Sequence, residues 1–248
     1  MKAISLLYHD VVPAGDFAAS GFAGGDAEIY KLELADFKRH LAEIDAAAPN
    51  RSSVHLTFDD GGASAHDHVA GLLEDLGWRG HFFITTNWIG KAGFVTADQI
   101  RDLRARGHVI GSHSCSHPPR MSYCSADQLR REWTNSIAVL SEIVGGHVDV
   151  ASVPGGYYAR NVAEAAAEAG IRTLFTSEPE TRVQNIDGCA VLGRYTIQQG
   201  VSAATAAAIA AGRVIPRFHQ SAYWNAKKVA KTLGGSSWLR MRKWILAR

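Results

Sequence analysis

Seven short apolar runs, interleaved with segments of helical periodicity, leave this 248-residue chain few architectures to choose from. Strands are expected over Ala3–Tyr8, Val54–Phe58, His81–Thr85, Val109–Gly111, Val150–Val153, Ile171–Phe175 and Cys189–Ile197. Between them, Leu34, Phe37, Leu41 and Ile44 share one helical face, and Val69, Leu72, Leu73 and Leu76 share another, closed by Gly77. Thr96 caps a helix that ends at Gly107, and Ser125 to Gln128 fits a capping box opening a longer one. In that longer helix Leu129, Trp133, Ile137 and Leu140 point inward. An alanine-rich helix stops at Gly170, and another covers Ala203–Ala211. Strand–helix alternation of this kind calls for an α/β fold, with a parallel sheet closed or partly closed as a barrel. Val11–Tyr30, rich in glycine and alanine, reads as a long loop, and loops of that length are usually functional.

Parallel barrels carry their chemistry at the C-terminal ends of the strands. Four of the expected strand ends bear polar or glycine-rich groups: His9-Asp10, Asp59-Asp60, His113/His117 and Pro154-Gly155-Gly156. Asp59 and Asp60 are the most demanding pair. Two adjacent carboxylates at a buried strand end repel one another, and each is costly to bury without a cation. His113 and His117, after another apolar run, supply two imidazoles. Two histidines and one aspartate make a three-ligand site with a position left open, as in catalytic metal centres. The second aspartate is then free to take a proton from water. His9 is suited by residue type to return a proton to a leaving amine, and backbone N–H groups near Gly155 and Gly156 to face an oxyanion. The implied chemistry is hydrolysis of an amide or ester.

These residues resemble the polysaccharide deacetylases, the NodB-homology carbohydrate esterases. Thr57-Phe58-Asp59-Asp60-Gly61 and His113-Ser114-Cys115-Ser116-His117 match that family's first two motifs in order and spacing, and the resemblance extends over roughly residues 1–197. It implies a distorted (β/α) barrel of about seven parallel strands. It implies that Asp59 is the general base and that Asp60, His113 and His117 bind a divalent ion, Zn2+ first, with Co2+, Ni2+ or Mn2+ as alternatives. The implied substrate is an N-acetylated amino-sugar glycan or glycan precursor. The motif Leu7-Tyr8-His9-Asp10-Val11 resembles the family's last motif, placed first as in the deacetylases of poly-N-acetylglucosamine exopolysaccharide; it implies His9 as general acid, ahead of His219. The third motif, usually Arg-x-Pro-aromatic-Gly, is here Ser152-Val153-Pro154-Gly155-Gly156, lacking both arginine and aromatic. Arg194 is the expected replacement cation beside Asp59, and Gly155, Gly156 and Tyr157 the expected substrate and oxyanion contacts. The family's fourth motif has no match.

Charge divides the chain. Residues 201–248 hold nine of the 26 lysines and arginines and no acid, whereas the rest carries all 24 acidic residues. The expected organisation is a barrel domain over 1–212 and a basic helical extension over 213–248. The extension is read first as a helix on the barrel or a solvated tail, and second as peripheral contact with an anionic membrane; no nucleic-acid partner is expected. Three cysteines without paired spacing imply no disulfide framework. The short N-terminal apolar run lacks a cleavage signal, which sets a cytoplasmic expectation. Two rival readings share the site: an amidohydrolase acting on a small non-sugar amide, and a carbohydrate-binding relative without turnover. Trp88, Trp133, Tyr157 and Tyr158 are candidate sugar platforms, with Trp133 assigned to the core by its helical stripe.

Overall fold

The computed structural model describes residues 3–48 and 51–226. Strands β1 (Ile4–Tyr8), β4 (Val54–Phe58), β5 (Gly80–Ile84), β6 (Val109–Ser112), β7 (Val150–Ser152), β8 (Thr173–Phe175) and β10 (Cys189–Leu192) lie close to the expected runs. The strand expected over Cys189–Ile197 is two strands, β10 and β11 (Tyr195–Thr196), separated by Gly193 and Arg194. Two short strands in the first 35 residues, β2 (Val11–Val12) and β3 (Leu32–Glu33), pair with each other in parallel. The expected loop Val11–Tyr30 therefore contains β2 and a single helical turn, α1 (Gly25–Glu28). A further strand, β9 (Gln184–Ile186), runs antiparallel to β10. Among the described residues the principal sheet has nine strands in the order β11-β1-β4-β5-β6-β7-β8-β10-β9, all parallel except β9. Eight parallel strands replace the expected seven because the last run breaks.

The break has a physical cause. Leu192 belongs with β8 at one side of the curled sheet, and Tyr195 with β1 at the other. Gly193 and Arg194 carry the chain across that seam, and a Cβ on Gly193 would lie 2.3 Å from the Glu178 carbonyl oxygen. First in the chain, β1 sits between β4 and β11, so its strand end joins those of β4 and β6 on one face.

Helices α2 (Leu34–Ala47), α3 (Ala70–Asp75), α4 (Ala97–Ala105), α5 (Ala126–Val144), α6 (Arg160–Glu168) and α7 (Ala203–Ala210) cover the outside of the sheet. A π-helical turn, Ala65–Val69, leads into α3. The capping box forms at Thr96, whose side chain and that of Gln99 bond reciprocally to backbone N–H groups; Ser125 makes the first half only. α5 closes with Gly145 in the left-handed conformation.

Period-2 alternation divides the core into layers. Leu56, Phe58 and Phe82 face the helices, packing with Phe37, Leu41, Leu73 and Leu103. A second cluster, with Trp133, Val162 and Leu174, lies under α5 and α6. Phe83, Phe175 and Leu192 form a smaller cluster of their own. Beside them the His55 and His81 rings meet edge to face at 5.1 Å. The Trp133 indole donates to the Val162 carbonyl oxygen, in keeping with its expected place in the core. Residues 214–226 form a helix after α7, held to β11 by Gln220 Nε2 donating to Thr196 O and to the β8–β9 connection by Ser221 Oγ donating to Pro179 O, both at 2.6 Å. The remainder of the expected basic extension, 227–248, lies outside the described residues.

Candidate metal and hydrolytic site

At the end of β4 the chain must turn at once to keep both carboxylates at the strand end. It does so through Asp60 (φ 75°) and Gly61 (φ 80°). The left-handed region is costly for a residue with a Cβ and clusters at functional sites. Of four such non-glycine residues among those described, Asp60, Ser114 and His117 stand at this site. The next residue, Gly62, is required by space: a Cβ there would lie 1.9 Å from Asp10 Oδ1. That oxygen is already held by the hydroxyls of Ser20 (2.5 Å) and Ser64 (2.8 Å), tying the first loop to the strand end.

Asp59 is 4% exposed and is gripped on both oxygens by a fully buried guanidinium. Arg194 Nη1 donates to Oδ1 at 2.7 Å and Nη2 to Oδ2 at 2.8 Å. Arg194 Nε donates to the Thr176 carbonyl oxygen, Nη1 also to Thr57 Oγ1, and the fork lies over Phe83 and Phe175. Ser152, at the third-motif position, donates to Asp59 Oδ1 at 3.0 Å. Burial works against the Asp59 charge, but Arg194 and then His113 hold its carboxyl below the ordinary carboxylate range.

Asp60, His113 and His117 converge beside it. Their ligand atoms lie within 4.8 Å of one another and could hold a metal ion. The Nε2 atoms of His113 and His117 are 3.4 and 3.3 Å from Asp60 Oδ1. Yet among the described residues that oxygen is buried without a hydrogen-bond partner, and buried polar atoms are rarely left so. His113 Nδ1 lies 3.1 Å from the Ser152 carbonyl oxygen and 2.6 Å from its Oγ. A carbonyl only accepts, so the proton belongs on Nδ1 and the Nε2 lone pair faces Asp60, as a metal ligand requires. An orphaned carboxylate oxygen with an imidazole lone pair turned toward it is a donor set that fits a divalent cation. Burial raises the Asp60 pKa, but positive charge and donated protons on the two imidazoles, standing where a cation would, hold the group well below the usual carboxylate range. His117, lowered by burial, is raised above its ordinary value by Asp60.

A cleft of about 310 Å3 opens over these groups, lined among others by His9, Phe22, Tyr30, Gly155, Gly156 and Trp224. His9, half-buried with its Nδ1 out of solvent and unpaired among the described residues, packs on Tyr30 at 4.7 Å, and desolvation lowers its pKa. His219, the other candidate acid, is exposed on the helix 214–226 and does not line the cleft. Tyr157 is also absent from the lining; its ring lies 6.3 Å from Tyr123, with Arg120 over both. Trp88 is one ring removed, meeting Phe22 edge to face, and Phe22 in turn meets His117 at 5.0 Å. His66 pairs with Asp67 and Asp102 away from the site.

Sequence reasoning missed Phe22, Ser152, Trp224 and Glu132. Glu132 left a visible signal, since a charged residue beside Trp133 falls on the inward stripe of α5. Ser152 stood in the motif where arginine is usual. Phe22 and Trp224 left none, because only the folded path brings residues 22 and 224 to one cleft.

The chain belongs to the polysaccharide deacetylase family, whose model matches residues 46–174, just over half of its length. Among curated relatives it is 24% identical over 154 residues to the putative polysaccharide deacetylase YxkH of Bacillus subtilis, covering 62% of this chain and 54% of that one. It is 35% identical over 77 residues to a chitin deacetylase of Colletotrichum lindemuthianum, 31% of each chain. The chain spans about half the length or less of the curated relatives it matches. Among solved structures it superposes on the Streptococcus pyogenes deacetylase PplD with a TM-score of 0.67 at 19% identity, covering 82% of this chain and 95% of that one. For IcaB of Ammonifex degensii the TM-score is 0.66 at 18% identity, with 85% and 97% covered. These likenesses establish the NodB-type fold.

Proposed function

We propose that this protein is a metal-dependent hydrolase that removes N-acetyl groups from an amino-sugar glycan or glycan precursor. One observation carries the reading: a buried carboxylate, locked on both oxygens by Arg194, stands beside a three-ligand cluster whose central oxygen lacks a partner. Family membership and relatives named as chitin and peptidoglycan-N-acetylmuramic acid deacetylases support the substrate class.

Asp60, His113 and His117 hold the ion, with Zn2+ the first choice for two imidazoles and a carboxylate and Co2+, Ni2+ or Mn2+ as alternatives. When bound, it supplies Lewis-acid polarisation of an acyl oxygen and a lowered pKa for water. Asp59 takes the proton from the attacking water. Its ionised form is favoured by Arg194, whose two bonds also fix the orientation of the carboxylate. His9 gives a proton to the leaving nitrogen, and the walls of the cleft around it limit bulk water. Gly155 and Gly156, both left-handed at φ 67° and both lining the cleft, are the backbone N–H donors for a developing oxyanion on this reading. Their lack of a side chain is required in part by space, since a Cβ on Gly155 would lie 2.6 Å from the Pro119 carbonyl oxygen.

The test is acetate release from N-acetylglucosamine oligomers by Zn2+-loaded protein. Asp59→Asn should keep Zn2+ and lose acetate release by about a hundred- to ten-thousandfold, the range a positioned general base contributes. Hydrolysis of small non-sugar amides alone would refute the glycan assignment. Zn2+ and oligomer binding without acetate release would mark a binding protein.

A partner surface belongs to the same reading. The helix 214–226 turns Gln220 and Ser221 inward and leaves Val214, Ile215 and Phe218 exposed by 70, 72 and 66%. Arg213 and Arg217 flank this apolar face, and no acidic residue follows Asp187. Contact with an anionic membrane fits both properties, and Gln220, Tyr223 and Trp224 of the same helix line the cleft.

A further inference from the structure

The loop that carries His113 and His117 turns within five residues through two left-handed non-glycine residues, Ser114 (φ 65°) and His117 (φ 57°). Such conformations persist only where surrounding structure over-determines them. On one side the loop is held by backbone bonds: Thr86 N–H to Ser114 O and Asn87 N–H to Cys115 O. On the other side a single buried carboxylate holds it. Glu132, on α5 and 8% exposed, accepts from the N–H groups of Cys115 and Ser116 through Oε2, both at 2.9 Å. Its Oε1 accepts from Ser116 Oγ at 2.6 Å. One turn further along α5, Ser136 Oγ lies 2.5 Å from Ser112 Oγ, which accepts from Ser114 N–H at 3.0 Å.

We propose that Glu132 is a positioning residue for the metal site: its carboxylate closes the loop 113–117 so that His113 and His117 face Asp60. The inference rests on the metal-site reading above. Glu132 is a positioning residue because its bonds go to the loop and none to the ligand atoms themselves. A charged side chain is otherwise expensive on the inward face of α5, between Leu129 and Ser136. Three bonds to one loop account for its place there, and a carboxylate offers two acceptor oxygens for three donors where no apolar residue offers any. Glutamine keeps the reach: its oxygen accepts the two N–H groups, and its amide nitrogen donates to Ser116 Oγ. Aspartate keeps the charge but is one methylene short.

The experiment measures Zn2+ affinity by calorimetry and the visible absorption of bound Co2+ for the full chain and for Glu132→Gln, Glu132→Asp and Glu132→Ala. Near-ultraviolet circular dichroism of the metal-free proteins reports folding separately. Outer-shell partners of metal ligands commonly contribute 10–100-fold in affinity. Glu132→Ala and Glu132→Asp should bind Zn2+ at least tenfold more weakly and shift the Co2+ spectrum, while Glu132→Gln should stay within about threefold of the native chain with its spectrum retained. If Glu132→Ala fails to fold, Glu132→Asp decides. Affinity within twofold of the native value and an unchanged Co2+ spectrum in Glu132→Asp would overturn the proposal, as would a loss in Glu132→Gln equal to that in Glu132→Asp. Native protein that binds neither ion would instead refute the metal-site reading itself, and the proposal with it.

Discussion

Replacing Arg194 by methionine is the sharpest probe of this site, because the structure sets two consequences together. Arg194 is fully buried and Asp59 nearly so, and two charge-assisted bonds of 2.7 and 2.8 Å join them. Methionine fills most of the volume between Phe83 and Phe175 but leaves the carboxylate buried and uncompensated. Each bond to a charged group contributes about 1.5–3 kcal/mol, and breaking one side of a buried ion pair costs about 3–5 kcal/mol. We expect that loss in urea unfolding of the metal-free protein, which for a domain of this size is a melting point lower by roughly 10 °C. Chemistry moves as well. With the guanidinium gone, burial of Asp59 is opposed by fewer positive neighbours, so its pKa rises. A general base works only when ionised, so the acidic limb of the acetate-release profile shifts to higher pH. The double variant Asp59→Asn/Arg194→Met should recover part of the stability, because no unpaired charge remains. A variant melting within about 2 °C of the native protein, with its acidic limb unmoved, would refute the pairing argument.

Acid should destabilise the fold through the interior histidines. His81 has its pKa lowered from 6.5 to about 3 by burial, then by His55 and Arg194. The neutral form is thus favoured in the folded state, and its stability is complete above pH 6.5. As pH falls from 6.5 toward about 3, the unfolded chain gains a proton the folded protein excludes, a loss of roughly 1.4 kcal/mol per pH unit; urea titrations at pH 7 and 5 measure it, and His81→Gln should flatten the slope. Gly62→Ala should cost about 1–3 kcal/mol by driving a methyl group into the Asp10 carboxylate, read as a lower denaturation midpoint. Ile215→Gln together with Phe218→Gln should leave the cleft and folding intact and reduce co-sedimentation with phosphatidylglycerol vesicles at least tenfold; equal sedimentation of both forms would rule out this helix face as the contact.

Legibility in the sequence followed the range of the interaction. Strands β4, β5 and β6 were visible because a buried parallel strand is a local apolar run. Asp59, Asp60, His113 and His117 were visible because each pair is contiguous or nearly so and ends such a run. The Val11–Tyr30 segment reads as loop alone from its sequence, yet it holds β2 and α1. Its two-residue strand is too short for any periodicity and exists only because Leu32 and Glu33 lie alongside. The seventh run reads as one strand because Cys189–Leu192 is apolar and Tyr195–Ile197 is rich in strand-forming residues, and nothing local reveals that their neighbours lie on opposite sides of the curl. Arg194 was legible only as a cation in need of an assignment: its partner is 135 residues away in the chain.

By itself the sequence determined which residue types stand at the strand ends, since apolar periodicity and adjacent polar groups are local properties of the chain. Only the tertiary structure decided which of those groups meet. Contact between Arg194 and Asp59, the hold of Glu132 on the loop between the two histidines, and the choice of His9 over His219 at the cleft each depend on the curl of the sheet. That curl is a collective result of strand twist and helix packing across the whole chain, and no short stretch of sequence encodes it.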